Sequence, residues 1–221
     1  MEVINRPDYT EKVKKLFGKG FIIALTGQRR VGKSFIMRQV IKELSQDSAA
    51  HVIYIDKDNE EFSFVQSHEE LTKYVKSNLL SNKRNYLFVD EIQNIKEFEV
   101  SLRSFHTNDE CEMVITGSNA KMLSSELSTY LSGRCVEYHI QSLDYREFLT
   151  FHRLSDNNQS LHSYLKYGGL PQLHRIGLEE TELVDDYLKS VYHTIVLKDV
   201  IEREEIRNVP LLKNLIRFVG D

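Results

Sequence analysis

The stretch "GQRRVGKS" (residues 27–34) decides the fold. It stands between an apolar run, "FIIALT" (21–26), and "KSFIMRQVIKEL" (33–44), in which apolar residues recur at helical spacing. A glycine-rich loop that connects a strand to a helix is the context of a nucleotide phosphate-binding loop. The alternative interpretation is a glycine-rich turn with no ligand.

The residue types in this loop suit phosphate. Gly27 and Gly32 let backbone N–H groups turn inward around phosphate oxygens without an intervening Cβ. Lys33 brings a positive charge to the β- and γ-phosphates, and the start of the following helix adds its dipole. Ser34 offers a hydroxyl to Mg²⁺. The sequence therefore predicts that the chain binds a nucleotide.

Strand-like and helix-like segments alternate along the first 140 residues. Apolar, β-rich runs occur at 21–26, 51–56, 85–90, 111–116 and 134–140, and helical patterns lie between them at 33–44, 68–80, 98–107 and 120–131. This alternation predicts an α/β fold with a parallel sheet. After residue 140 only helical patterns follow, including a capping box at Asp144 and Glu147 and a long helix from about Glu180 to Ile201. We expect a P-loop core over residues 1–140 and a small helical lid over 141–221.

The run "YLFVDEIQNI" (86–95) bears on what happens to the phosphate. Asp90 ends an apolar strand, which places its carboxylate at the same sheet edge as the loop, where it suits Mg²⁺. Glu91 follows and can act as the base that orients an attacking water. The pair favours hydrolysis over transfer to an acceptor. The alternative is that Asp90 and Glu91 are polar residues at the end of a strand and have no catalytic role.

A further strand ends in "TGSNA" (116–120). Thr116, Ser118 and Asn119 would lie where a polar side chain contacts the γ-phosphate or the water. Ser118 and Asn119 are the predicted sensor residues. A turn followed by a helix N-cap accounts for the same residues.

Composition limits the other classes of function. The formal net charge of −4 gives no overall attraction to nucleic acid or anionic lipid. The sequence has no apolar run long enough to span a membrane, and its first ten residues do not fit a signal peptide. Two cysteines suit a reducing compartment, so we expect a cytoplasmic protein. The eight histidines show no zinc-ligand spacing.

Six motifs together resemble the prokaryotic AAA+-type ATPases of the archaeal-ATPase and STAND-like branch: "GQRRVGKS", "LFVDEIQ", "ITGSNAKML", "LSGR", "LDYREFL" and "YGGLP". The resemblance extends from "INRPDY" to "LKDVIER". It implies ATP and Mg²⁺ as ligands, a five-stranded sheet in the order 5-1-4-3-2, and a helical lid. It also implies a further C-terminal domain beyond Asp221. In that order Cys111 and Cys135 lie on strands separated by another, so they should not form a disulfide.

Carried over to this sequence, the resemblance predicts individual roles. Arg134 of "LSGR" is the predicted arginine finger, acting in cis or across a subunit interface; a surface ion pair is the alternative. Pro171 of "YGGLP" is expected to pack against adenine, unless this element is only a helix break. Ile4, Arg6 and Tyr9 of "INRPDYTE", which precede the first strand, are expected to border the base. The remaining predicted nucleotide contacts are Gly27, Gln28, Arg29, Arg30, Val31, Gly32, Lys33, Ser34 and Phe35.

These observations predict a Mg²⁺-dependent ATPase that couples hydrolysis to movement of an appended domain. Two alternatives share the same site: a STAND-like signalling switch with little turnover, and a DNA-associated loader or remodeller. The predicted ligands are ATP and ADP, with homo-oligomers as a further expectation. The client, protein or DNA, is not determined by the sequence, and no membrane partner is expected.

Overall fold

A computed structural model describes residues 4–117, 131, 133–195 and 208–220. Its centre is a sheet of five parallel strands in the order β2-β3-β4-β1-β5, which is the predicted 5-1-4-3-2 order read from the other edge. The P-loop fold expected from the sequence is therefore confirmed. The strands are β1 (Ile22–Thr26), β2 (Ala50–Asp56), β3 (Arg84–Asp90), β4 (Glu112–Thr116) and β5 (Cys135–His139).

The strand composition reflects the position of each strand in the sheet. All five residues of β1 are buried, because β1 lies between β4 and β5 and is covered on both faces. Along β1 and β5 the register pairs Ile22 with Cys135 and Thr26 with His139. β5 is an edge strand with partly exposed residues, which explains its more mixed sequence.

Helices cover both faces of the sheet. They are α1 (Pro7–Leu16), α2 (Lys33–Leu44), α3 (His68–Asn78) and α4 (Phe98–Thr107). Val13 of α1 and Met37 of α2 pack against Ile23 and Leu25 of β1. The alternate residues of the same strand, among them Ile22, face the apolar side chains of α3 and α4. The sequence pattern did not predict α1.

A helical segment follows β5. It consists of α5 (Tyr145–His152), α6 (Asn158–Tyr167), the short α7 (Leu173–Ile176) and α8 (Thr181–Thr194), with α9 at Val209–Gly220. The predicted capping box is present: the Asp144 carboxylate accepts from the Glu147 N–H at 2.8 Å, and Glu147 accepts from the Asp144 N–H at 3.1 Å. The predicted helix from Glu180 is described to Thr194, and residues 196–207 lie outside the described chain.

Both cysteines are free thiols, as predicted, and β1 lies between the strands next to them. Burial raises the pKa of Cys111 to about 12 and that of Cys135 to about 11, so neither is a reactive thiolate at neutral pH. Within the described ranges, every helix is too short or too polar to cross a membrane.

Candidate active site

The loop between β1 and α2 passes very close to the chain that leaves β5. A Cβ built on Gly27 would lie 2.2 Å from the carbonyl oxygen of Ile140, and the φ of Gly27 is +132°. Only glycine fits such an approach and such a conformation. Gly32, with φ +100°, is the N-cap of α2 and turns the chain into the helix.

Lys33 is held across this loop. Its side chain is only 5% exposed, and its Nζ donates to the carbonyl oxygens of Gly27 and Gln28, each at 3.0 Å. The ammonium group therefore lies inside the curve of the loop and at the N-terminus of α2. Both features favour a bound anion at this place.

Hydroxyl and carboxylate groups from three elements meet beside the loop. Ser34 Oγ donates to Asp90 Oδ1 at 3.0 Å, and Thr116 Oγ1 donates to the same oxygen. The Glu91 N–H in turn donates to Thr116 Oγ1 at 3.0 Å. Because β3 and β4 are parallel neighbours of one sheet, their carboxyl ends bring Asp90 and Thr116 together.

This group fits Mg²⁺ only in part. Ser34 and Asp90 supply the hard oxygen ligands that Mg²⁺ prefers. Among the described residues, however, no three histidine, cysteine or acidic side chains are grouped as a metal site. The arrangement therefore suits an ion whose remaining ligands are phosphate oxygens and water, as is usual for Mg²⁺ bound with a nucleotide.

Glu91 has a distinctive backbone. Its φ is +54° and its ψ +51°, a left-handed conformation that is uncommon outside glycine. The side chain is partly exposed and lines the cleft beside the loop. Its Oε2 accepts from the side-chain amide of Gln93. The carboxylate thus faces the same space as Lys33 and Ser34.

That space is a cleft of about 500 Å³ between the loop and the helical segment. Despite the negative charge of the whole chain, cationic side chains predominate in the cleft lining: Arg6, Arg29, Arg30, Lys33, Arg38 and Arg175. Asp58 and Glu91 are the acidic residues of the lining. A cleft with this charge and size suits a polyanion with an organic group attached.

The helical segment contacts the loop directly. The guanidinium of Arg175 lies 5.3 Å from the ring centroid of Phe35, and that of Arg38 lies 5.9 Å from it. Arg30, whose φ is +68°, lies 5.7 Å from the ring of Tyr187 on α8. The Arg38 contact lies within α2, whereas the Arg175 and Arg30 contacts connect the two walls of the cleft.

Pro171 also lies at the loop. Its Cγ is 3.9 Å from the position that a Cβ on Gly32 would occupy. The neighbouring Gly169 is fixed by a close approach of its own, because a Cβ there would lie 2.1 Å from the Leu143 carbonyl oxygen. "YGGLP" is therefore packed into the cleft wall, where Pro171 is available to a base; its contact with adenine stays a prediction.

Arg6 joins four parts of the chain. It is 4% exposed, and its Nε and Nη2 donate to the two carboxylate oxygens of Glu147 at 2.7 and 2.8 Å. Its Nη1 donates to the carbonyl oxygens of Val31 in the loop, at 3.1 Å, and of Gln141, at 3.0 Å. The guanidinium stacks on Tyr9 at 4.6 Å. Of the three residues expected to border the base, Ile4 and Arg6 line the cleft, whereas Tyr9 lies behind Arg6 and does not.

Arg134 lies at the N-terminal end of the strands, and the loop lies at their C-terminal end. Its carbonyl oxygen accepts from the Ile22 N–H, at the start of β1, whereas the loop follows the end of β1 at Thr26. The two ends are separated by about 15 Å along the strands. Arg134 and the loop therefore lie at opposite ends of the strands, and the role of Arg134 as an arginine finger stays a prediction. Ser118 and Asn119 lie outside the described residues.

Several residues of the site were missed from the sequence. Arg38, Arg175 and Gln93 were not assigned roles there, and Arg6 was expected only to border the base. Their contacts join distant parts of the chain or adjacent turns. Tyr54, at the end of β2, accepts from Arg38 Nε at 3.4 Å. Burial raises the pKa of Tyr54 to about 12, so it stays a neutral hydroxyl.

Comparisons with known proteins agree with this geometry. A family model described as an AAA domain matches residues 19–149. An uncharacterised protein of Haemophilus influenzae is 31% identical over 228 residues, covering 99% of this chain and 56% of that protein. An uncharacterised protein of Methanocaldococcus jannaschii is 30% identical over 207 residues, covering 88% of this chain and 45% of that protein. The chain thus spans about half the length of these curated relatives.

Solved structures share the fold. The ADP complex of Saccharomyces cerevisiae Hsp104 superposes with a TM-score of 0.58 at 16% identity, over 100% of this chain and 35% of that one. The extended Hsp104:casein complex gives a TM-score of 0.56 at 15% identity, over 84% of this chain and 38% of that one.

Proposed function

The chain belongs to the AAA domain family, and from its AAA+-type P-loop fold we propose that it binds ATP together with Mg²⁺ and hydrolyses the ATP to ADP and inorganic phosphate. One observation carries the proposal. Ser34, Asp90 and Thr116 form a hydrogen-bonded group beside the buried Lys33, and Glu91 lines the same cleft. This is the set of groups that phosphoryl transfer to water requires.

In the proposed binding mode, each group of the loop has a task. The N–H groups of the loop and the first turn of α2 donate to phosphate oxygens, and Lys33 exchanges its carbonyl partners for the β- and γ-phosphates. Ser34 and Asp90 would hold Mg²⁺, which supplies neutralisation of the phosphate charge when bound. The cationic cleft lining adds to the attraction for the polyphosphate.

In the proposed reaction, Glu91 accepts a proton from a water molecule in the cleft. The water oxygen forms a bond to the γ-phosphorus while the bond from that phosphorus to the β–γ bridging oxygen breaks. ADP leaves with the electron pair of that bond, and the other product is inorganic phosphate. Thr116 keeps the Glu91 backbone attached to β4, so the base stays beside the Asp90 carboxylate throughout.

We further propose that the helical segment is a lid that transmits the nucleotide state to an appended domain. Support comes from two contacts: that of Arg30 with Tyr187 joins the loop to α8, and that of Phe35 with Arg175 joins the first turn of α2 to α7. A nucleotide in the cleft touches both walls, so its hydrolysis changes the interactions that hold the walls together.

A second candidate function is a switch that holds its nucleotide with little turnover. The bidentate pair of Arg6 and Glu147 favours it, because this buried contact fastens the helical segment to the loop and opposes opening of the cleft. In such a protein the conformation, and not the rate of hydrolysis, is the output.

A single-turnover experiment distinguishes the two. ATP hydrolysis with Mg²⁺ is measured for the wild type and for Glu91→Gln, and ATP binding is followed on the same samples. We expect hydrolysis to be lost in the variant with binding retained. Binding without hydrolysis by the wild type would favour the switch, and hydrolysis unchanged in Glu91→Gln would reject Glu91 as the base.

We also propose that Arg134 acts on the cleft of a neighbouring copy. Support comes from its exposed position at the sheet edge opposite the loop. Mixing Arg134→Ala with Glu91→Gln tests this, because a mixed assembly contains sites that combine an intact Glu91 with an intact arginine from the neighbour. We expect the mixture to regain activity that neither variant has alone; a mixture as inactive as its components would reject the proposal.

A further inference from the structure

The carboxylate of Glu91 has a single side-chain partner in the described part of the chain, and that partner is Gln93. Nε2 of Gln93 donates to Oε2 of Glu91, and both residues line the cleft. A carboxylate that must accept a proton from one particular water molecule needs a fixed direction. Its backbone conformation alone leaves the side-chain torsions of Glu91 free to vary.

The contact with Glu91 determines the orientation of the Gln93 side-chain amide. Oε1 of Gln93 is buried and accepts no hydrogen bond from the residues described, an arrangement that costs free energy. The reversed amide would bring Oε1 against the carboxylate, and two acceptors would then face each other. Gln93 thus keeps a charge-assisted hydrogen bond to Glu91 and leaves its own carbonyl oxygen unsatisfied.

The backbone around Gln93 is anchored on both sides. Ile92 is fully buried and Ile95 is 2% exposed, so the turn between them is fixed to the core. The Asn94 N–H donates to the Glu91 carbonyl oxygen at 3.1 Å, and the Ile95 N–H donates to that of Ile92 at 2.9 Å. The amide of Gln93 is therefore presented to Glu91 from a rigid turn.

We propose that Gln93 is a positioning residue that aims the Glu91 carboxylate at the attacking water. The inference rests on the proposed ATP hydrolysis and adds to it a residue that acts through the base. When a hydrogen bond to a charged group is missing in the transition state, the rate falls by roughly 10-fold to 100-fold. Nucleotide binding does not depend on this contact, since Gln93 holds neither the loop nor the metal ligands.

Steady-state and single-turnover ATP hydrolysis of the full chain with Mg²⁺ tests the proposal. Gln93→Met keeps the length of the side chain and removes the donor. Lys96→Ala, an exposed side chain just after the turn and outside the cleft lining, is the control. We expect Gln93→Met to lose at least about tenfold in kcat while KM and the Kd for ATP stay within about twofold of the wild type. Lys96→Ala should retain the wild-type kcat.

A double variant distinguishes a positioning role of Gln93 from a general structural effect of its substitution. In Glu91→Gln the base is absent, so adding Gln93→Met should cause no further loss of rate. The proposal is overturned if Gln93→Met hydrolyses ATP as fast as the wild type, or if its loss of rate comes with an equal loss of ATP affinity. It is also overturned if the two substitutions act additively. Absence of Glu91-dependent hydrolysis in the wild type would reject the proposed function itself, and this inference with it.

Discussion

Replacing Glu147 with glutamine tests how much the contact between Arg6 and the helical segment stabilises the protein. Glutamine retains the size of the side chain and an oxygen for the Asp144 N–H, so the capping box is largely kept. It removes the charge opposite a guanidinium that is 4% exposed. Breaking a buried ion pair from one side costs about 3–5 kcal/mol. Because Glu147 is 25% exposed, we expect a smaller cost than this range, about 2–3 kcal/mol.

Urea unfolding followed by far-UV circular dichroism measures this change. With an m value of about 3 kcal/mol/M, the midpoint should fall by roughly 1 M. Glu43→Gln is the matched control: Glu43 pairs with Lys14 at 2.6 Å, but the two side chains are 45% and 30% exposed, and the expected loss is below about 1 kcal/mol.

A double-variant cycle completes the test. Arg6→Met combined with Glu147→Gln should be less destabilised than the sum of the two single variants, because the second substitution removes a charge that the first has already left unpaired. A midpoint for Glu147→Gln no lower than that of Glu43→Gln, or full additivity in the cycle, would refute the reasoning.

Three further predictions concern the loop, the strand ends and pH. Gly27→Ala should abolish nucleotide binding measured by titration calorimetry, because its Cβ would lie 2.2 Å from a carbonyl oxygen. Gly20→Ala has open space and only the cost of a positive φ, about 1–2 kcal/mol, and should bind normally. Thr116→Val leaves the Glu91 N–H without its acceptor and removes one of the two donors to Asp90 Oδ1. The thermal midpoint should therefore fall and Mg²⁺-dependent ATP binding should weaken, whereas Thr116→Ser should restore both. Burial lowers the pKa of His152 from 6.5 to about 4. The unfolded chain therefore binds more protons below pH 6.5, stability should fall from pH 6.5 towards pH 4, and His152→Phe should flatten that slope in urea unfolding series. An equal slope in His152→Phe would contradict this assignment.

The sheet and the phosphate loop were predictable because their signals are local. Continuous apolar runs such as Ile22–Thr26 belong to strands covered on both faces. Gly27, Gly32 and Lys33 lie close together in the sequence, so their motif can be recognised without knowledge of the fold. Asp90 was predicted at the sheet edge because it ends an apolar run. The left-handed backbone of Glu91 has no sequence signal, since only glycine commonly marks such a position.

The contacts between the two walls of the cleft were not predictable. Arg6 and Glu147 are 141 residues apart, and neither the polar start of α1 nor a helix N3 position indicates a distant partner. The same limit applies to Arg175 and Phe35. The side of the sheet occupied by Arg134, by contrast, follows from the direction of the chain, because a residue that precedes a parallel strand lies at the edge opposite the residues that follow one.

The position of Arg6 bears on how a minimal domain can be defined. The matched family region begins at residue 19 and ends at residue 149. A protein trimmed to those limits retains the loop and Glu147 but loses the guanidinium that joins them, together with α1 and its apolar contact at Val13. The carbonyl oxygen of Val31 and the Glu147 carboxylate would both lose their donor. The segment from Ile4 to Leu16 therefore belongs to the structure that holds the cleft together, and a purification tag is better placed before this segment than in place of it.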